Sequence, residues 1–232
     1  TSGNNKVVFN NILANYGGGL AFYTNTPSAI GSSDYNDLYT TGPNLGFWSG
    51  NQADLDTWRT NSGQDLNSLS TDPLFADPTN YVVREILLNA AALPTPQVLG
   101  DIEGVLRDAS PDIGADEWTP PNSDAFLVQF QQPEAPFPVG NQSVAVLLKN
   151  NGTDSLFTAD IDWAFNGSVQ SPFNWSGTLG SGDTTTVAIG SMAFVVNQDY
   201  ALRAWVSNPN GGVDAVPDND TTLVENLYVA LG

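Results

Sequence analysis

Residues 158–165 have the sequence TADIDWAF, in which polar and apolar side chains alternate. Ile161, Trp163 and Phe165 occupy every second position, and this period of two is that of an extended β-strand rather than a helix. The apolar residues are therefore expected on a buried face and the acids between them on a solvated face. The segment predicts a half-buried strand.

Similar short runs recur at intervals of roughly 8–12 residues through the second half of the chain, the spacing of a β-sandwich or barrel. The predicted strands are 125–131, 143–149, 158–165, 173–178, 184–189, 200–206 and 222–229. Turns rich in Asn and Gly, such as Asn166-Gly167, separate them. About seven strands in about 110 residues predict an immunoglobulin-like β-sandwich.

The first half of the chain has shorter apolar runs, at 7–9, 12–14 and 20–22, with Asn and Gly between them. Strands of three or four residues with Asn or Gly at each corner are typical of a parallel β-solenoid, because these residues tolerate left-handed backbone at the corners. A helical period occurs near 54–59 and predicts one helical turn. The sequence therefore predicts an all-β chain.

The stretch at 119–123, Thr-Pro-Pro-Asn-Ser, separates the two halves. Two consecutive prolines remove backbone donors, so neither a helix nor a central strand is expected to pass through it. We predict β-solenoid coils over 1–118, a Pro-rich linker over 119–123 and a β-sandwich over 124–232. Acidic residues are spread over both halves, so neither is a basic docking arm.

The composition excludes several classes of function. The chain has no Cys and no His, so the zinc, haem and iron–sulfur sites and the nucleophile pairs that need these side chains are not expected. Six basic residues face 25 acidic ones, and a net charge of −19 opposes binding to nucleic acid. No apolar run approaches the length of a membrane span, so membrane insertion is not expected.

Four segments of the first half resemble the C-terminal coils of right-handed parallel β-helix repeat proteins of the pectate-lyase-like superfamily. They are VFNNILANYGGG at 8–19, SDYNDLY at 33–39, STDPLFADP at 70–78 and SPDIGADE at 110–117. The last resembles the motif that closes such helices. The resemblance implies the C-terminal coils of a right-handed parallel β-helix over residues 1–118.

Residues 124–230 resemble the adhesion-type immunoglobulin-like modules that follow such helices, in the segments VLLKNNG at 146–152 and NPNGGVD at 208–214. This tandem arrangement resembles large surface proteins of Bacteroidota, including type IX-secreted giant gliding-motility adhesins. It implies an extracellular, cell-surface stalk or adhesin module without catalytic activity. The implied partners are extracellular polysaccharide or another surface, other domains of the same long chain, and the secretion machinery.

Two other functions stay open. One is a non-catalytic C-terminal part of a secreted polysaccharide lyase or glycoside hydrolase that binds carbohydrate, and the other is a calcium-dependent carbohydrate-binding module. A lyase of this family needs an Arg or Lys base beside clustered carboxylates. The basic residues of the first half, Lys6, Arg59, Arg84 and Arg107, stand in no such cluster in the sequence. We therefore predict no catalytic residue and no enzyme activity.

Asp214, Asp218, Asn219 and Asp220 place four oxygen-bearing side chains within seven residues. Calcium prefers six to eight oxygen ligands, so this loop is a candidate calcium site. No other cofactor is expected. The spacing differs from that of an EF-hand. The alternative is a hairpin in which these side chains bind nearby backbone amides.

Two tryptophans, Trp48 and Trp175, are candidate carbohydrate contacts, because flat aromatic faces stack on sugar rings. The alternative is that both rings pack inside their domains. Ser155, Thr184 and Thr221 follow an Asp in short triplets that resemble O-glycosylation sites of exported Bacteroidota proteins. These three residues are candidate modification sites.

Overall fold

A computed structural model describes residues 5–76 and 81–229. Over these residues the protein is all-β, with several sheets of which none is closed. The chain divides into two compact units, unit 1 over 1–119 and unit 2 over 120–232. The outer ends of the predicted domains, 1–4 and 230–232, lie outside the described residues, as do Asp77 and Pro78 of the quoted 70–78 segment.

The described part of unit 1 contains seven short strands. They are β1 (Lys6–Phe9), β2 (Ile12–Asn15), β3 (Phe22–Thr24), β4 (Ile30–Asp34), β5 (Asp37–Thr40), β6 (Gly46–Trp48) and β7 (Asn51–Gln52). β1 pairs with β4, β2 with β5 and β3 with β6, all in parallel, and β7 pairs antiparallel with β6. These are the short parallel strands that the sequence predicts, but the stacked coils of a β-helix are not shown.

Helix α1 (Leu55–Ser62) places one aromatic residue in the interior of unit 1. It begins at a capping box of Asp54 and Thr57 and ends at Gly63, whose φ of 68° is left-handed. Trp58 is fully buried, and its ring centroid lies 5.1 Å from that of Phe22 and 5.4 Å from that of Trp48. The predicted helical turn is thus a full helix that packs on short strands.

A buried carboxylate joins this helix to the turn between β4 and β5. Asp65 Oδ1 accepts hydrogen bonds from Ser33 Oγ at 2.9 Å, Asn36 Nδ2 at 3.0 Å and Ser68 Oγ at 2.7 Å. Its Oδ2 accepts one from Trp58 Nε1 at 2.8 Å. Four donors replace the water that this buried anion has lost, so the network stabilises unit 1.

The segment SPDIGADE at 110–117 is organised around a buried ion pair. Arg107 Nη1 donates to Glu117 Oε1 at 2.8 Å, and Arg107 Nη2 donates to the carbonyl of Gly114 at 2.7 Å. The Glu117 carboxylate also accepts from the backbone N–H groups of Asp108 and Asp112. These contacts connect residues 107–108 to residues 112–117 at the end of unit 1.

Up to residue 229, unit 2 contains eight strands in two sheets. They are β8 (Ala125–Gln132), β9 (Gly140–Asn150), β10 (Leu156–Phe165), β11 (Ser168–Val169), β12 (Phe173–Leu179), β13 (Thr184–Phe194), β14 (Tyr200–Ser207) and β15 (Thr221–Leu227). One sheet has the order β13–β9–β8, and the other joins β11, β10, β14 and β15, with β12 also paired to β10. Each of the seven strands predicted for this half overlaps an observed strand.

The two sheets of unit 2 enclose one apolar core. Leu127 and Val146 of the three-stranded sheet belong to the same buried cluster as Ile161 and Leu202 of the five-stranded sheet. In β10 the alternation has the expected effect, because Ile161 and Trp163 are buried whereas the acids beside them are partly exposed. Two facing sheets with a shared core are the arrangement of a β-sandwich.

Candidate metal centre

The segment that leads into β8, residues 121–124, is hydrogen-bonded to the rest of unit 2. The carbonyl groups of Pro121, Asn122 and Asp124 accept from backbone N–H groups of the turn at 151–154, at 2.9–3.0 Å. The carbonyl of Ser123 accepts from Ala215 N at 3.2 Å. Most of this leading segment was predicted as linker, but here it is held between two loops.

The loop between β14 and β15 is bound to the start of β8 through its side chains. Asp214 Oδ2 accepts from Ala125 N at 2.8 Å, and Asp214 Oδ1 accepts from Val216 N at 2.9 Å. Asn219 Nδ2 donates to both carboxylate oxygens of Asp124, at 3.1 and 3.2 Å. The loop therefore brings its acidic residues close to Asp124, the residue immediately before β8.

Three carboxylates meet where this loop contacts the leading segment. Asp124, Asp214 and Asp220 each offer an oxygen, and these oxygens lie within 4.8 Å of one another. We call these residues the acidic cluster. Asp124 is only 1% exposed and Asp220 only 9%. Asp124 precedes β8 and Asp220 precedes β15, so the cluster draws on both sheets of unit 2.

The electrostatics of the acidic cluster disfavour its fully ionised state. Burial, followed by the nearby charge of Asp214, raises the pKa of Asp124 to about 6. Burial, followed by the charges of Asp214 and Asp124, raises the pKa of Asp220 to about 7. A cation among these carboxylates would reverse both shifts by stabilising their charged forms.

Two oxygen atoms at the cluster also lack partners. Asp220 Oδ1 and Asn219 Oδ1 are buried and accept no hydrogen bond from any residue in 5–76 or 81–229. A buried acceptor without a donor is destabilising, and natural proteins satisfy nearly all such atoms. The three carboxylates are hard donors of the kind that calcium prefers, and the chain has neither His nor Cys to favour softer metals.

The charge of the surroundings favours a divalent ion. Lys149 lies close enough to the cluster for its positive charge to lower the pKa of Asp124. The three carboxylates, with Asp218 also acting on Asp220, outnumber this one ammonium group, so the site keeps an excess of negative charge that a cation would offset. The donor set and the charge together fit Ca²⁺.

The structure brings together some of the residues that the sequence singled out. Asp214 and Asp220 belong to the acidic cluster, and Asn219 binds Asp124 within it. Asp218 is exposed and lies outside the cluster, although its charge contributes to the raised pKa of Asp220. Sequence analysis missed Asp124, which stands alone after the prolines. Only the tertiary fold, which brings the start of β8 beside the loop between β14 and β15, places it there.

The two candidate carbohydrate contacts are half-buried and take part in packing. Trp48 lies edge-to-face on Trp58, inside an apolar cluster of unit 1. Trp175 packs against the core of unit 2 and lies over Gly177, where a Cβ atom would meet the ring at 2.7 Å. Sugar contact at these rings stays a prediction.

The three candidate modification sites flank strands. Thr184 and Thr221 are exposed and are the first residues of β13 and β15. Ser155 is half-buried just before β10, and its carbonyl accepts from Asn210 Nδ2 at 3.0 Å. O-glycosylation at these residues stays a prediction.

Unit 1 also contains a buried acid with an unpaired carboxylate oxygen. Asp37 is fully buried, its Oδ1 accepts from Thr71 N at 3.0 Å, and its Oδ2 has no partner. Burial, with the charges of Glu85 and Asp72, raises the pKa of Asp37 to about 7. In the sequence this residue is one acid of the segment SDYNDLY.

No family model and no curated protein matches the chain. None of the helices in the described ranges is long and apolar enough to cross a membrane.

Among solved structures, the chain is similar to the CARDB domain of a Pyrococcus furiosus protein in complex with di-metal ions. The identity is 18% and the TM-score 0.40, over 49% of this chain and 100% of that domain. It is also similar to a domain from a Methanosarcina acetivorans protein described as a cell surface protein. There the identity is 17% and the TM-score 0.40, over 47% of this chain and 94% of that one.

Proposed function

We propose that this chain is a non-catalytic structural segment of an extracellular cell-surface protein, in which a calcium ion joins the two sheets of unit 2. In this proposal unit 1 forms C-terminal coils of a right-handed parallel β-helix and unit 2 is an immunoglobulin-like module. The parallel pairing of Ile12 with Asp37 and of Phe22 with Gly46 supports the first assignment, because both partners are separated by about one coil. The two facing sheets support the second.

The acidic cluster is the observation that carries the proposal. Asp124, Asp214 and Asp220 converge although nothing in their local sequence requires it, and Asp220 Oδ1 is buried there without a donor. Carboxylates this close repel one another in the absence of a cation. A bound Ca²⁺ would supply the missing partner and turn the repulsion into attraction.

The position of the cluster suits a structural role. Asp124 stands before β8 of one sheet and Asp220 before β15 of the other, so a shared ion links the first and last strands of unit 2. The same ion would hold the leading segment, through which tension on the chain enters the unit. Calcium would therefore increase the resistance of unit 2 to mechanical unfolding.

Calorimetric titration of the whole chain with CaCl₂, after treatment with chelator, tests this role. We expect one calcium ion per chain, loss of that binding in Asp124→Ala, and the same stoichiometry with only a small loss of affinity in the control Asp218→Asn, whose exposed carboxylate lies outside the acidic cluster. Pulling experiments should then show a higher unfolding force for unit 2 in calcium than in chelator. Absence of saturable binding, or equal affinity in Asp124→Ala, would refute the calcium site.

The cellular side of the proposal rests on the family resemblance. It comprises an adhesive or stalk function at the cell surface, export by the type IX system, and contact with polysaccharide or with other domains of the same chain. The net charge of −19 supports it in part, since crowded acidic surface proteins repel one another and stay soluble. Antibody labelling of intact cells of the source organism tests it, and labelling only after lysis would count against a surface location.

A further inference from the structure

A cavity of about 470 Å³ opens on unit 1 beside β2, in the size range of small-ligand sites. It is lined by three aromatic rings, two aliphatic side chains and one carboxylate. These residues are Ala14, Tyr16, Asp72, Leu74, Phe75 and Tyr81, and we call the site the tyrosine cavity. It is formed by unit 1 and is separate from the acidic cluster.

The aromatic rings of the cavity are held by neighbouring rings but keep exposed surface. The Phe75 and Tyr81 rings meet edge-to-face with centroids 5.6 Å apart, and Tyr16 meets Tyr39 in the same way at 5.5 Å. Tyr16 is 50% exposed and Tyr81 is 64% exposed. Packing therefore uses only part of these rings, and the faces that remain carry the negative side of the ring quadrupole.

The carboxylate of the cavity has no cationic partner. Asp72 Oδ1 accepts from Tyr16 Oη at 2.6 Å and from Leu74 N at 3.0 Å, and within 5–76 and 81–229 it forms no ion pair. Burial and then the charge of Asp72 raise the pKa of Tyr39 to about 12. The pKa of Tyr16 also rises, through burial and its hydrogen bond to Asp72. Both tyrosines therefore stay neutral beside an unbalanced negative charge.

We infer that the tyrosine cavity binds an organic ammonium group, held between the rings of Tyr16, Phe75 and Tyr81 and balanced by Asp72. Aromatic faces attract cations. A substituted ammonium group is weakly hydrated, so its transfer from water into the cavity costs little free energy. An anionic ligand would be repelled by Asp72, and a neutral ligand would leave that charge unpaired. The shared requirement is therefore a positive charge with an apolar shell.

Choline and its neutral isostere dimethylbutanol, which have the same shape but differ in charge, provide the direct test. Both are titrated into the whole chain while the aromatic signals of the protein and the methyl signals of the ligand are followed by NMR. We expect choline to bind at least tenfold more tightly than the alcohol, with methyl signals shifted upfield by the rings. Equal affinity, or no binding of choline up to about 20 mM, would overturn the inference.

Variants locate the binding. Tyr81→Ala and Asp72→Asn should each weaken choline binding by about tenfold. Tyr23→Ala is the matched control, since Tyr23 is 61% exposed and stacks on Phe47 elsewhere in unit 1. If Asp72→Asn melts early, Tyr81→Ala decides the question, because that side chain is mostly exposed. An unchanged affinity in Tyr81→Ala, or an equal loss in Tyr23→Ala, would contradict the assignment.

Discussion

Asp124 and Asp220 bring carboxylate oxygens within 4.8 Å of each other, although one residue precedes the first strand of unit 2 and the other precedes the last. These strands belong to different sheets, so the contact joins the two sheets of unit 2. Without a cation this contact is repulsive, and with one it becomes a link. The stability of unit 2 should therefore depend on calcium, on pH and on the charges of the acidic cluster.

Acidification should stabilise unit 2 in chelator. The folded-state pKa values of Asp124 and Asp220, about 6 and about 7, exceed that of an unfolded aspartate, so the folded state binds protons more tightly. Stability is then highest below about pH 4 for these groups and falls as pH rises to about 7. We expect a loss of several kcal/mol in the free energy of unfolding across this window, because each tenfold change in proton affinity is worth about 1.4 kcal/mol.

Thermal melts in chelator between about pH 4.5 and 8 measure this dependence. Calcium should abolish it for unit 2, because the ion stabilises the ionised carboxylates. Unit 1 should lose stability with rising pH in both buffers, because the pKa of Asp37 is raised to about 7 in the folded state. Calcium should not change this, because Asp37 is not part of the acidic cluster. If the stability of unit 2 in chelator instead rises towards pH 8, the carboxylates of the acidic cluster do not destabilise the folded state.

Removal of one charge from the acidic cluster should have opposite effects in the two buffers. At pH 8 in chelator, Asp220→Asn should raise the free energy of unfolding by about 1 kcal/mol, because it relieves repulsion at a buried site. In calcium the same variant should be less stable than the parent protein. Asp218→Asn, outside the cluster, is the control and should still be stabilised by calcium, because all three carboxylates of the cluster remain. A variant that is destabilised equally in both buffers would indicate only lost packing.

The Asp65 network should support unit 1 alone. Asp65→Ala removes the acceptor of four hydrogen bonds and leaves Trp58 Nε1 buried without a partner. We expect a loss of about 3 kcal/mol or more in the stability of unit 1 and an unchanged melting transition of unit 2. Differential scanning calorimetry resolves the two effects. A parallel shift of both transitions would mean that the units unfold together.

The buried ion pair at the end of unit 1 should be sensitive to loss of one partner. Glu117→Gln removes the carboxylate that pairs directly with the largely buried Arg107 guanidinium, whose Nε has no acceptor among the described residues. Breaking such a pair costs about 3–5 kcal/mol. Chemical unfolding of the variant measures the cost, and the control Asp56→Asn, which removes the exposed partner of Arg59, should change stability by less than about 1 kcal/mol. Similar costs for both variants would contradict the structural role of Arg107.

The strands of unit 2 were predictable because their pattern is local. Ile161 and Trp163 alternate with acids, and turns such as Asn166-Gly167 mark the strand ends. The short parallel pairing of unit 1 was also predictable in kind, since Asn and Gly interrupt each apolar run. Which strand pairs with which was not, because parallel partners such as Ile12 and Asp37 are joined by a long connection.

The candidate site was predictable only in part for the same reason. Asp214, Asn219 and Asp220 are close in sequence, so their common loop suggested an oxygen-rich site. Asp124 enters the site through strand order, and no local motif marks it. Asp218 has the right chemistry and spacing, but the turn leaves its side chain exposed. The tyrosine cavity likewise joins Tyr16 of one segment to Asp72 of another, a contact that depends on the tertiary fold.

Calorimetric melting of residues 1–232 in calcium and in excess chelator tests the central claim most directly. A ligand that binds only the folded state raises its stability by mass action, by about 2.7 kcal/mol at a hundredfold excess over Kd. We predict that calcium raises the melting temperature of unit 2 and leaves that of unit 1 unchanged. The same melting temperature for unit 2 in both buffers would contradict the claim that a calcium ion joins its sheets.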